Sequence, residues 1–216
     1  MDFELARQNM VESQIRPNKV TDDRVIQAIA SVQRERFVPV ALRGVAYVDE
    51  DVPIGHSRYL MEPMIFARLL QVAAIQPTDI VLDIGCGFGY STAVLARLAE
   101  MVVAVESDPE LAKRAIANLN DLEVDNAVVL QSALTGGAPR QAPYSLVFIG
   151  GGVQRVPDAI FDQLADGGRL VTVVNANGLG RAVLARKTGG EISEQRLFDA
   201  AVPALPGFET EPTFVF

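Results

Sequence analysis

Residues 80 to 96 read IVLDIGCGFGYSTAVLA. An apolar run carrying Ile80, Val81, Leu82 and Ile84 stops at three glycines in alternate positions, Gly85, Gly87 and Gly89, and gives way to a helix-forming segment from Thr92 to Leu98. That succession predicts a strand, a tight turn and a helix. Glycine lacks a Cβ, so it takes positive φ and lets another molecule come close to the backbone. The helix that follows offers unpaired N–H groups and the positive end of its dipole. Together they predict a nucleotide-type pocket at the carboxyl end of a central strand, with a purely structural turn as the plain alternative.

The glycine spacing separates two ligands. A dinucleotide turn runs G-x-G-x-x-G, its third glycine allowing close packing of helix on strand. Here that third position is Tyr90, which speaks against a nicotinamide cofactor. With Asp83 ahead of it, DIGCGFG resembles the first motif of class I S-adenosylmethionine-dependent methyltransferases. The next apolar run, Met101 to Val105, ends at Glu106, where a carboxylate can accept hydrogen bonds from both ribose hydroxyls. NAD enzymes place an acid there too, so Glu106 points to adenosine without naming the cofactor.

The rest of the composition narrows the class. With 216 residues, 49% of them hydrophobic, the chain can bury a sizeable core in one domain. We expect a single domain over 1–216: an N-terminal helical extension (1–52), an acceptor loop and helix (53–79), a cofactor-binding core (80–174) and a C-terminal edge (175–216). No apolar stretch approaches the roughly 18 residues of a membrane span, and MDFELARQ is too acidic and polar for a signal peptide. These features predict a cytoplasmic protein without a membrane partner. A lone Cys86 and a lone His56 leave no disulfide, no metal site and no Ser-His-Asp apparatus to build. A net charge of −8 with scattered Lys and Arg argues against nucleic acid. Strands separated by helices imply an α/β fold, doubly wound, with a mainly parallel sheet and right-handed crossovers.

Pattern places the other elements. Met10, Val11 and Ile15 share a face of a first helix that ends before Pro17, and Thr21 is a cap for a second carrying Val25, Ile26 and Ile29. Residues 64 to 79 read as an amphipathic helix closed by Pro77, and Asp108 caps a helix from Pro109 to Leu119. Further strands are expected at 127–131, 144–149 and 169–174, with a helix at 156–164. Residues 175–190 read as a hairpin loop and the tail as an irregular edge.

A more particular likeness runs through VESQI (11–15), RVIQAI (24–29), VQRERFVP (32–39), PIGHSRYLMEP (53–63), the glycine motif, DNAVV (125–129), APYSLVFIGGGVQRVP (142–157) and LADGGRLV (164–171). In order and spacing these resemble the protein-L-isoaspartate O-methyltransferase family over most of the chain. The resemblance implies methyl transfer from S-adenosylmethionine to a side-chain carboxylate of damaged aspartyl residues in a protein or peptide. A carboxylate is ionised and nucleophilic at neutral pH, so no general base is required, and the site works by proximity and electrostatics. It further implies that Asp83, Gly85, Gly87, Gly89, Glu106 and Ser132 hold the cofactor, that Arg58, Tyr59 and Met61 face the acceptor, and that no metal takes part.

The chain also departs from the family pattern. Family members usually carry a loop resembling PIGHGQTISQP. In register, Arg58 replaces its glutamine, Tyr59 its threonine, Met61 its serine and Glu62 its second glutamine. Met61 cannot donate a hydrogen bond, Arg58 would attract a carboxylate, Tyr59 could supply a hydroxyl, and Glu62 would repel a carboxylate. After the third strand, where the family often shows an acid that reads the adenine amino group, stand Ser132 and Ala133; the loss is worth roughly 1.5 to 3 kcal/mol. Ser145 stands where an aspartate is usual, a second lost carboxylate near the site. Gly150, Gly151 and Gly152 would permit close approach of methionine or acceptor, and His56 serves to fix its loop. These departures leave open a different carboxylate or small-molecule acceptor, and a non-catalytic interaction protein. The enzymatic reading requires Glu106 to face the hollow beginning at Gly85 and requires side chains not to fill it.

Overall fold

The computed structural model describes residues 1–176 and 179–209; residues 177–178 of the expected hairpin loop and the tail from Thr210 lie outside the described residues. The first helix, α1 (Phe3–Met10), starts at Asp2, whose carboxylate accepts from the Leu5 N–H at 3.0 Å. It runs on through a wider π-type turn at Val11–Ile15 and a 3-10 turn holding Pro17. Helix α2 (Asp23–Ser31) is capped by Asp22, one residue after the expected Thr21. Asp22 accepts from the Arg24 and Val25 N–H groups, while the Thr21 N–H donates to Gln71 Oε1 at 2.6 Å.

A two-stranded hairpin follows, β1 (Val52–Gly55) and β2 (Arg58–Leu60), where a loop was expected. His56 and Ser57 form its turn, both at positive φ, the backbone that matches the twist of a tight hairpin. Helix α3 (Pro63–Ala73) stops four residues before Pro77, with Ala74 left-handed at its end. Then come β3 (Ile80–Ile84), α4 (Tyr90–Leu95), β4 (Met101–Glu106), α5 (Pro109–Asp121), β5 (Ala127–Gln131), β6 (Tyr144–Val153), α6 (Asp158–Phe161), β7 (Leu164–Ala176), β8 (Leu179–Thr188) and β9 (Glu191–Asp199).

Strands β3 to β9 make one sheet in the order β5-β4-β3-β6-β7-β8-β9. The first five pair in parallel, and β8 and β9 add two antiparallel strands. Residues 179–188 are therefore a strand, contrary to the expected hairpin loop. Arg181, Arg186 and Lys187 hide this in the sequence, yet Ala182, Val183, Leu184 and Ala185 are buried. The short α6 leaves β7 to begin at Leu164, earlier than expected, and β6 continues through Gly150–Gly152 instead of ending at Ile149.

Chain order reverses across β3, whose neighbours are β4 and β6, so the carboxyl ends of β3 and β6 form the switch point where α/β sheets bind ligands. The opposite end of β3 is locked by a buried ion pair. Arg169 Nη2 meets Asp79 Oδ2 at 2.5 Å, and the same guanidinium donates to the carbonyls of Ala73, Ala74 and Ser145. Ser145 sits at this end too, its hydroxyl taking the Ile80 N–H at 2.9 Å. The expectation that Ser145 marks a lost carboxylate near the site is therefore corrected: it lies at the amino end of its strand and serves as a backbone bridge.

Candidate active site

The turn after β3 is built from its glycines. Gly85, Gly87 and Gly89 all take positive φ, and their crowding explains each one. A Cβ on Gly89 would stand 3.3 Å from that of Ala115, so this glycine lets α5 pack on the turn. A Cβ on Gly87 would stand 2.6 Å from Ile54 Cδ1 of the hairpin. The Gly85 N–H donates to the Val105 carbonyl at 2.9 Å, which ties the turn to the end of β4. Cys86 is buried within it, and burial pushes its thiol well above the ordinary range, so the thiolate is not formed at neutral pH.

Two carboxylates face this turn. Asp83 is fully buried; its Oδ2 accepts from the hydroxyls of Ser91 and Thr92, each at 2.7 Å, while Oδ1 has no partner. Burial pushes its carboxyl up to about 6; the two hydroxyls pull against that, and the nearby Glu106 adds to it. Glu106, also fully buried, accepts from the Gly87 N–H through Oε2 at 2.8 Å, and from the Ser107 N–H through Oε1 at 2.8 Å. It therefore faces the turn. The Ser132 N–H donates to the Glu106 carbonyl at 3.1 Å, which brings the end of β5 beside it.

The hairpin lies over this floor, and from it Arg58 reaches down. Arg58 Nη1 pairs with Glu106 Oε1 at 2.6 Å and Nη2 donates to the Gly85 carbonyl at 2.8 Å; the side chain is 4% exposed. Leu205, from the segment after β9, closes the other side: a Cβ on Gly85 would lie 2.9 Å from Arg58 Nη2 and 3.0 Å from Leu205 Cδ2. The hollow expected at Gly85 is thus filled by two side chains, which fails one of the two conditions set by the sequence, while Glu106, bonded to the Gly87 N–H, meets the other. A cavity of about 30 Å³ remains beneath, lined among others by Tyr59, Met61, Tyr90 and Phe148. It has room for roughly two waters. A smaller one of about 10 Å³ lies between Asp51, Ser57, Tyr59 and Leu205.

The candidate acceptor residues divide. Arg58 and Met61 are buried, and Tyr59 is 42% exposed at the cavity mouth. Glu62 has its carboxyl pushed up to about 7, first by burial and then by Asp51, Asp49 and Glu50. His56 clamps the hairpin tip to α5 through Nδ1 and Asp108 Oδ2 at 2.6 Å, while Asp108 caps Glu110 and Leu111. Gly151 and Gly152 are approached by Leu205 and Asn175 of this chain, at 2.6 and 2.2 Å from where a Cβ would stand. Their close neighbours are internal, a correction to the expectation of methionine or acceptor there. Sequence reasoning missed Leu205, which sits in a proline-bearing tail without period, and missed Arg58's burial, since a charged residue in a polar loop reads as exposed.

The sheet order, the glycine turn at its switch point and the buried acid ending the next strand give the chain the Rossmann-like fold of the class I S-adenosylmethionine-dependent methyltransferases. Comparison with known proteins narrows the class. The sequence profile described as Protein-L-isoaspartate(D-aspartate) O-methyltransferase matches residues 5–204, and the chain belongs to that family. Relatives named protein-L-isoaspartate O-methyltransferase include one from Koribacter versatilis, 36% identical over 205 residues, covering 95% of this chain and 92% of the relative. Another, from Gloeobacter violaceus, is 39% identical over 190 residues, covering 88% of this chain and 93% of the relative. A solved protein-L-isoaspartate O-methyltransferase superposes with a TM-score of 0.81 at 24% identity, over 93% of this chain and 66% of that one. A Plasmodium falciparum beta-aspartate methyltransferase, in complex with S-adenosyl-L-homocysteine, gives 0.80 at 20% identity, over 92% of this chain and 97% of that one. Family membership makes the chain an S-adenosylmethionine-dependent methyltransferase of the isoaspartate-repair type.

Proposed function

We propose that the carboxyl ends of β3, β4 and β6 form the methyl-transfer site, with Asp83, Gly85, Gly87, Gly89, Glu106 and Ser132 as its cofactor side and Arg58, Tyr59 and Met61 as its acceptor side, within one domain spanning the chain. The observation that carries this reading is Asp83 Oδ1, a buried carboxylate oxygen with no partner beside a glycine turn. It is suited to an ammonium group, as the S-adenosylmethionine amino group is, and Glu106 offers carboxylate oxygens for ribose hydroxyls. S-Adenosylmethionine, when bound, supplies an electrophilic methyl group.

Everything else falls to the chain's own groups. Asp83 and Glu106 orient through charge and hydrogen bonds, and Phe148, Tyr90 and Met61 line the adjoining cavity with largely apolar surface. The acceptor is the free carboxylate of an isoaspartyl residue in a protein or peptide, the α-carboxylate left pendant when the chain runs through the β-carbonyl. It arrives ionised, so no proton need be moved, and the work left is alignment. The same features suit a cytoplasmic repair enzyme without a nucleic-acid partner, in keeping with the net charge of −8. Among the described residues no helix is long and apolar enough to cross a membrane.

The test is methyl transfer to an isoaspartyl peptide against its aspartyl control. Transfer confined to the isoaspartyl peptide is expected. Transfer to neither, with S-adenosylhomocysteine still bound in calorimetry, would overturn the acceptor class and leave the cofactor site standing.

A further inference from the structure

We propose that Arg58 is a built-in competitor for the cofactor, a plug that S-adenosylmethionine must displace and that the β1–β2 hairpin returns to the site when the ligand leaves. The inference rests on the cofactor reading of Gly85 and Glu106 given above.

The guanidinium is held by the two kinds of acceptor that such a ligand needs. Glu106 Oε1, suited to ribose hydroxyls, is 2.6 Å from Nη1. The Gly85 carbonyl, suited to an ammonium, is 2.8 Å from Nη2. A planar cation with forked donors satisfies a carboxylate and a carbonyl together. It also neutralises part of a pocket that holds two buried carboxylates, Asp83 and Glu106, a costly arrangement for a closed site. The space under the guanidinium agrees: the cavity lined by Gly85, Cys86 and Tyr90 measures about 30 Å³, whereas sites for ligands of drug size measure roughly 300 Å³ or more, and the open hollow of about 350 Å³ lined by Ile54, His56, Phe88 and Glu110 touches neither Gly85 nor the Glu106 carboxylate. A nucleoside cannot share the turn with Arg58 in this position.

Val52, Ile54 and Leu60 anchor the hairpin in the core, so the movement needed is that of the Arg58 side chain and the hairpin tip, and no ladder of the main sheet opposes it. The hairpin has strands of four and three residues and pairs only with itself, apart from the main sheet. Its tip is tethered by His56 to Asp108, and both partners reach solvent. Glu106 keeps its Gly87, Ser107 and Asp108 N–H donors when the guanidinium withdraws, so its charge stays solvated by the backbone. Leaving the turn brings Arg58 toward Ser57, Tyr59 and the acceptor side of the cleft. Cofactor entry and presentation of a cation to the acceptor carboxylate are then a single event.

The experiment pairs two readouts. Calorimetry with S-adenosylhomocysteine compares the wild type with Arg58→Met. Removing the competitor raises the competent fraction, and the variant is expected to bind roughly tenfold tighter or more. Equal or weaker binding by a folded variant overturns the proposal. Phenylglyoxal labelling of the wild type, read by peptide mass spectrometry, tests it without a substitution. Saturating S-adenosylhomocysteine is expected to raise labelling at Arg58 severalfold and to leave the buried Arg34 unlabelled; unchanged or lower labelling at Arg58 overturns the plug. No heat from either protein at millimolar ligand overturns the cofactor reading itself, and the plug with it. Heat from the variant alone supports both.

Discussion

Asp83 carries the clearest conflict between stability and function. Its folded value of about 6 lies above the ordinary 3.8, so between those limits the native state holds a proton that the unfolded chain releases. The Asp83 contribution to stability therefore rises as pH falls from about 6 toward 3.8, and at neutral pH its buried charge is a burden. Asp83→Asn should stabilise the protein at pH 7 by up to about 3 kcal/mol and weaken S-adenosylhomocysteine binding. The gain should shrink below pH 6 and vanish below about 3.8, as read from urea midpoints across that range. A variant no more stable than wild type at pH 7 would mean that the charge is compensated in place.

Elements were legible where one period dominated. The run IVLDI, the three glycines and the following helix read directly as β3, turn and α4, and Glu106 was placed by the end of the next apolar run. The hairpin was not legible. PIGHSRYL has no alternation longer than a few residues, and its register depends on two non-glycine residues at positive φ. Strands β8 and β9 escaped because charged side chains interrupt their apolar positions, a pattern that tertiary pairing overrides. Gly150–Gly152 read as a loop although β7 pairs beside them, since glycine is weak strand evidence.

The ion pair at the foot of the sheet gives a test at the same scale. Burial raises the Asp79 carboxyl, and the Arg169 fork with the Gln76 N–H more than offsets that, leaving it below its ordinary value. This contribution is present above the unfolded value and is lost as pH falls through the folded one. Arg169→Met leaves Asp79 buried without its cation and should cost about 3 to 5 kcal/mol in denaturant unfolding. Because the pair lies at the far end of β3 from the glycine turn, the affinity of the folded variant for S-adenosylhomocysteine should match wild type. A large change in affinity would contradict that separation.

At the scale of the molecule, charge decides encounter. A net charge of −8 repels an anionic peptide before any contact forms. Raising ionic strength from about 10 mM to 150 mM shortens the screening length from roughly 30 to 8 Å. The KM for an acidic isoaspartyl peptide should fall over that range, while that for a lysine-flanked peptide should rise. Identical salt profiles for the two would assign recognition to local contacts alone. The charge total and the family likeness were open to reading from the chain. The meeting of Arg58 with Glu106 was not, since 48 residues separate them.

Arg34 has a consequence for how such enzymes diverge. Fully buried, it donates to the carbonyls of Ala46 and Met61, each at 2.6 Å, and its guanidinium lies 5.0 Å from the Tyr90 ring centre. One side chain thereby staples the amino-terminal extension, the strip leading into α3 and the helix start beyond the glycines. These segments cannot be inherited as interchangeable modules. A chimera taking its first 50 residues from a relative that lacks this arginine should fold loosely around Met61 and Tyr90, and restoring arginine at position 34 should repair it.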